Sequence, residues 1–210
     1  MNTSVRNLTV GGRSIPLDPP RPPEKPHMLL WIDTETTGLD PDRCDLLEIA
    51  CTITDMRAEQ SFDQHHAVIH PDHGIAITHA DDLTALRMHL ANGLLEASLD
   101  SELDYRQAGL DLAEYLNDAA RRYTLHPAGT NPRFDLRQII AHLDPATGLD
   151  ILQPLSYRHL DLTALRLTAQ AQGDDPYTAG HDTDHRATTC IQRDLAEYRE
   201  RLAHLGETQR

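Results

Sequence analysis

In DTETTGLDP, residues 33–41, an Asp and a Glu stand two positions apart at the end of the apolar run MLLWID. Side chains alternate across a strand, so Asp33 and Glu35 project from one face. Two carboxylates that close repel, and each raises the pKa of the other unless a cation lies between them. A hard divalent ion such as Mg²⁺ or Mn²⁺ suits oxygen donors of this kind. The plain alternative is that Asp33 caps the following turn and Glu35 is a solvated charge. Two further groups bear on the choice. Asp135, in GTNPRFDLRQI, follows a Gly- and Pro-containing segment and opens a helix, where an acid also answers the macrodipole. His185, in AGHDTDHRATTCIQRDLAEYRE, stands before the last helix behind a polar loop. An imidazole of near-neutral pKa on such a loop suits a general base; otherwise it is an ordinary surface histidine.

The elements that must position these groups are legible from periodicity. Residues 16–26, PLDPPRPPEKP, carry six of the thirteen prolines and predict an extended arm, because repeated Pro denies both helix and sheet ladder. A domain then starts near Met28. MLLWID and LLEIACTITD (46–55) read as buried strands, and QHHAVIH (64–70) as a third, giving an antiparallel meander. Apolar spacing then changes to three and four, which predicts helices over 79–90, 103–121, 134–143, 160–170 and 185–204, with a short strand at LHPAG (125–129). The expected fold class is α/β, a mixed central sheet flanked by helices, with residues 1–27 as the arm and 28–210 as the domain.

Composition narrows the function. Nineteen Lys and Arg face 33 Asp and Glu, a formal net charge of −14, which argues against a broad grip on long nucleic acid but not against a site that holds a short strand through metal ions. Three cysteines, Cys44, Cys51 and Cys190, form no CxxC pair and are odd in number, so a reduced, cytoplasmic setting is expected. No run is long enough to span a membrane, and MNTSVRNLTVGG lacks the apolar core of a signal peptide. The pairs His65–His66 and His70–His73 invite a metal reading, yet without a matching cluster elsewhere they read as solvated residues.

Taken in order, DTETTGLDP, GTNPRFDLRQI and an HRA that opens the last helix resemble the three motifs of the DEDDh 3′–5′ exonucleases, in the RNase H-like superfamily. The oligoribonuclease branch is the most similar: LLWIDTETTGLDPDRCDLLEIACTITD, IHPD (69–72), YRHLDLTAL (157–165) and MHLANGLLEASL (88–99) resemble its sequences, with Asn92 where that branch usually has Ser. The resemblance implies an RNase H-like exonuclease fold and a two-metal phosphodiester hydrolase using Mg²⁺ or Mn²⁺. It implies Asp33 and Glu35 as ligands with Asp33 bridging, Asp135 on the second ion, and His185 as general base. It also implies Thr36, Thr37 and Leu39 beside the terminal nucleotide, Met88 and His89 against its base and phosphate, and a homodimer.

One position departs from that pattern. The third motif has an acid five positions after its His, and counting from His185 gives Cys190. A neutral thiol is a poor ligand for Mg²⁺, and a thiolate favours softer metals. Asp194 lies one helical turn on, about 5.4 Å along the axis, farther than a carboxylate usually reaches. Asp182 and Asp184 are the other candidates to compensate. The expected function is a 3′–5′ exonuclease releasing nucleoside monophosphates from short single-stranded oligonucleotides, RNA ahead of DNA. The alternative is an impaired nucleotide-binding module whose arm docks a protein partner; cleavage of a cyclic or dinucleotide signal is chemically close to the first.

Overall fold

The computed structural model describes residues 7–11, 13–16, 24–71, 75, 82–177 and 183–207. Its core is a five-stranded sheet in the order β5-β4-β3-β6-β7. β3 (His27–Thr36), β4 (Leu46–Thr54) and β5 (Ser61–Val68) form the expected antiparallel meander. β6 (Thr124–Gly129) and the two-residue β7 (Leu160–Asp161) add in parallel to β3. The mixed α/β architecture predicted from the strand and helix pattern is therefore the observed one.

Strand position explains strand chemistry. β3 and β4 are central and almost wholly buried, as near-continuous apolar runs require. β5 lies at the edge, and its mostly exposed SFDQHH suits a strand open to water. Met28, Leu30 and Ile32 face α3 (Tyr105–Arg122) and α4 (Pro132–Thr147), packing with Leu112, Leu116, Ile139 and Leu143. Leu29 and Trp31 face the other way, onto Ile191, Leu195 and Tyr198 of α6 (Ala187–Glu207). The alternation continues along the strand, so Asp33 and Glu35 extend the row that α6 covers.

Helix boundaries differ from the periodic reading where local chemistry intervenes. α1 runs Asp82–Ala91, with residues 79–81 outside the described residues. A separate short helix, α2 (Leu94–Leu99), follows Gly93, whose φ of 76° breaks the preceding helix. α5 (Leu162–Gln172) begins two residues later than expected because Leu160 and Asp161 pair with β6, and the Asp161 side chain caps the helix by accepting from Thr163 N–H at 2.8 Å. α6 starts at Ala187, since His185 adopts a left-handed φ of 52°. The arm is not without ladder structure: β1 (Asn7–Val10) and β2 (Arg13–Pro16) form a hairpin, Pro16 ending it opposite Asn7. Residues 17–23 lie outside the described residues.

Candidate active site

Asp33 and Glu35 end β3 under the first turn of α6. One oxygen of each, together with the Cys190 sulfur, falls within a 4.8 Å cluster, and among the described residues this is the one group of three or more potential ligands so arranged. Cys190 lies 3.8 Å from Glu35 Oε1. His65 and His66 are used otherwise: His65 stacks on Tyr115, and His66 Nε2 is 2.7 Å from Glu48. Asp72 and His73 of the second histidine motif lie outside the described residues.

Asp135 joins the cluster through the backbone of β3. β6 pairs with β3 only as far as Trp31, leaving the next stretch of that edge without a ladder partner. Asp135, in the first turn of α4 and 3 % exposed, fills it, accepting from both Thr34 N–H and Thr34 Oγ1 at 2.8 Å. The second-motif acid is thereby tied to the residue between the two first-motif acids.

Such crowding has an electrostatic signature. Burial, then Asp135, Glu35 and Asp194, raise the Asp33 carboxyl well above its ordinary range, with Arg193 partly offsetting them. Burial and Glu48 push Glu35 up to about 8, and burial lifts Asp135 to about 7 against the Thr34 hydrogen bonds. Asp33 Oδ2 is buried without a hydrogen-bond partner. An oxygen so placed, among acids that ionise with difficulty, fits a bound cation that would stabilise their charged forms.

This geometry fixes a pH dependence for the metal-free protein. Glu35 is raised from 4.5 to about 8, so it contributes stability below pH 4.5 that is lost as pH rises toward 8. Glu48 behaves oppositely: burial opposes its ionisation, but hydrogen bonds from His66, Arg186 and Ala187 N–H hold it down at about 2, so its contribution is lost only as pH falls below 4.5. Thermal unfolding in a chelator is expected to show Tm falling by several degrees between about pH 5 and pH 8. Mn²⁺ should restore it at the upper end, and Glu35→Gln should flatten the slope. An unchanged slope in that variant would remove Glu35 from the cluster.

A cavity of about 390 Å³ opens beside the acids, lined by Thr34, Glu35, Thr36, Leu39, Met88 and His89, with Phe134 and Ala85 contributing apolar wall. Leu39 stands 79 % exposed at its rim. His89 is fully buried; its Nε2 lies 3.0 Å from the Thr36 carbonyl oxygen and 3.7 Å from Glu35, and burial lowers its pKa. Thr37 does not line the cavity. Its N–H donates to Asp45 O and its hydroxyl accepts from Asp45 N–H, so both polar groups close the β3–β4 turn.

Of the groups considered to compensate for Cys190, Asp194 is 3 % exposed and engaged at both oxygens. It accepts from Thr130 N–H and Oγ1 at 2.8 and 3.0 Å and from Arg193 at 2.8 Å. Asp184 accepts from Arg186 N–H on the exposed loop, and Asp182 lies outside the described residues. His185 is exposed, near enough to His89 for their charges to interact.

Three supporting residues had no role assigned from the sequence, although Asn92 lies in the stretch that resembles the oligoribonuclease branch. Glu48, fully buried, binds the Arg186 guanidinium at 2.7 Å and caps α6 through Ala187 N–H at 2.9 Å. Arg193 sits one turn from Cys190 and acts on Asp33. Asn92 donates to the loop bearing His185.

Known proteins resemble this chain in sequence and in fold. The oligoribonuclease of Francisella tularensis subsp. tularensis (strain WY96-3418) is 31 % identical over 183 residues, covering 83 % of this chain and 95 % of its own. The oligoribonuclease of Pasteurella multocida (strain Pm70) is 27 % identical over 187 residues, covering 84 % and 95 %. Among solved structures, the zinc-bound complex of E. coli exonuclease I with single-stranded DNA superposes with a TM-score of 0.65 at 15 % identity, over 88 % of this chain and 43 % of that one. Exonuclease I of Methylocaldum szegediense gives 0.58 at 19 % identity, over 83 % and 41 %. This chain thus spans about two-fifths of exonuclease I. No protein-family profile matches it.

Proposed function

Because the chain belongs to the oligoribonuclease family of 3′–5′ exonucleases, we propose that it releases nucleoside 5′-monophosphates from the 3′ ends of short single-stranded oligonucleotides, RNA in preference to DNA. The observation that carries the reading is the convergence of Asp33, Glu35 and Cys190 within 4.8 Å beside a cavity of nucleotide size. Residues 28–210 form the exonuclease domain on this reading.

Asp33 and Glu35 would hold divalent ions, Mg²⁺ or Mn²⁺, with Asp135 supplying a further acid from α4. When bound, such ions supply the positive charge that offsets the developing negative charge on the phosphate. His185 takes the proton from the attacking water. The water oxygen bonds to phosphorus, the P–O3′ bond breaks, and the departing 3′ oxygen gains a proton as the terminal nucleotide leaves with its 5′-phosphate. The apolar wall of Met88, Phe134 and Leu39 receives the terminal base, where stacking and burial are insensitive to base identity. Thr36 cannot direct its hydroxyl proton to substrate while it donates to Gly38 O at 2.6 Å, so its backbone is the part that faces the nucleotide.

The preference for short strands is supported by charge. With −14 formal charges the surface offers little to a long phosphate backbone, so affinity must come from the end-binding cavity. The test uses a labelled short RNA, a short single-stranded DNA of the same sequence and a long duplex, each with Mg²⁺ and with Mn²⁺. Stepwise loss of mononucleotides from the 3′ end is expected, fastest for the short RNA and negligible for the duplex. Cleavage of none of them, with recovery in Cys190→Asp, would instead identify an impaired nucleotide-binding module.

A further inference from the structure

We propose that Asn92 is the positioning residue of the general base, its side-chain amide holding the loop that presents His185; this rests on the exonuclease reading above. Asn92 lies between α1 and α2, more than ninety residues away in sequence. Its Nδ2 donates to two successive backbone carbonyls, Asp184 O at 2.8 Å and His185 O at 2.7 Å. Its Oδ1 accepts from Leu94 N–H at 3.0 Å, which fixes the amide to the start of α2. Both ends of the small side chain are therefore occupied, and the direction in which it offers its protons is set.

The loop needs such a constraint. His185 has φ of 52°, a left-handed conformation that is strained for a residue bearing a Cβ and persists only where the surroundings impose it. Within the loop, His185 N–H donates to Thr183 Oγ1 at 3.2 Å, and Arg186 N–H donates to Asp184 Oδ1 at 3.2 Å. The second is local, and the first leads through Thr183 Oγ1 to Cys190 Sγ at 3.3 Å, on α6. The α6 side is anchored by Arg186 and Ala187 on Glu48. Asn92 supplies the second fixed point, and two anchors on different elements are what prevent a short segment from pivoting. Because its protons go to the carbonyls of the base itself and of the preceding residue, Asn92 sets the direction of the His185 Cα–Cβ bond while remaining clear of the nucleotide cavity.

Asn92→Asp tests this with almost no change of shape. The variant keeps the acceptor for Leu94 N–H but offers no proton to the loop and brings a negative charge against two carbonyl oxygens. A base displaced by this loss is expected to lower kcat about ten- to a hundredfold on a short RNA, with KM unchanged within about twofold. Asn92→Ser, with one hydroxyl donor and no charge, should lose less. In a His185→Ala background, Asn92→Asp should cost no more than about twofold further, because the group it positions is gone. A general packing role would instead subtract equally in both backgrounds. A kcat within twofold of wild type in Asn92→Asp, or a full additional loss without His185, overturns the proposal. Should the wild-type protein cleave no oligonucleotide, the exonuclease reading fails, and amide hydrogen exchange then decides the structural half. Exchange over residues 183–187 about tenfold faster in Asn92→Asp, with the sheet unchanged, supports the clamp; unchanged exchange there overturns it.

Discussion

Asp33→Ala is expected to lower the turnover of a short oligonucleotide by about a thousandfold or more, since on the proposed reading the several kcal/mol of charge stabilisation that divalent ions would supply are lost with a ligand that would hold them. The same substitution is expected to leave the metal-free fold as stable as wild type or more so. Asp33 is crowded by Asp135, Glu35 and Asp194, and its carboxyl ionises only against burial and that repulsion. Removing it relieves like-charge strain, whereas removing an ordinary buried structural acid would lower Tm. Activity lost while thermal stability in a chelator is kept or raised is the signature of a group retained for chemistry rather than for folding. Steady-state kinetics beside a melting curve checks both halves. Turnover within tenfold of wild type would refute the metal-ligand role of Asp33.

Cys190→Asp is expected to raise Mg²⁺-supported turnover about tenfold to a hundredfold and to narrow the advantage of Mn²⁺ over Mg²⁺. Burial and the neighbouring Asp33 push the Cys190 thiol up to about 12, so at neutral pH it brings no charge to the cluster it shares with Asp33 and Glu35. A neutral sulfur is a poor partner for Mg²⁺ and a somewhat better one for the softer Mn²⁺. Asp194 acts on Asp33 but lies outside the 4.8 Å cluster, its oxygens hydrogen-bonded to Thr130 and Arg193. The measurement is the ratio of initial rates in the two metals for each protein. Equal ratios in wild type and variant would place Cys190 outside the reach of the ions.

The wild-type arrangement has a consistent electrostatic logic. Where an acid would add negative charge, the thiol adds none, and Arg193 one turn along α6 further offsets Asp33. Glu48, despite complete burial, keeps its charge because Arg186, His66 and Ala187 N–H all donate to it. Glu35 receives the weaker Cys190 thiol at 3.8 Å and is pushed up by burial and by Glu48 itself. Two buried glutamates of neighbouring strands thus diverge by partner. One stays ionised and anchors the start of α6, and the other is raised to about 8 in the metal-free protein.

The antiparallel meander, the shared face of Asp33 and Glu35 and the helical start near Asp135 were legible in the sequence, because alternation and helical spacing are local properties that a short window records. The edge character of β5 is local too, written in its run of polar residues. What the tertiary structure alone decided is which group answers which across long separations. Asp135 meets Thr34 across 101 residues, Asn92 meets His185 across 93, and Arg186 meets Glu48 across 138. Thr37 N–H and hydroxyl meet Asp45 in the β3–β4 turn, and Asp194, judged out of reach from its spacing, is held by Thr130. The hairpin within the arm and the delayed start of α6 were hidden for a related reason: cross-strand pairing and one left-handed residue outweighed the local preference for extended chain or helix. A periodic pattern fixes the face a side chain occupies. The donor or acceptor that satisfies it is chosen only when distant backbone segments are brought together, since a hydrogen bond depends on a few tenths of an ångström that no spacing in the chain encodes.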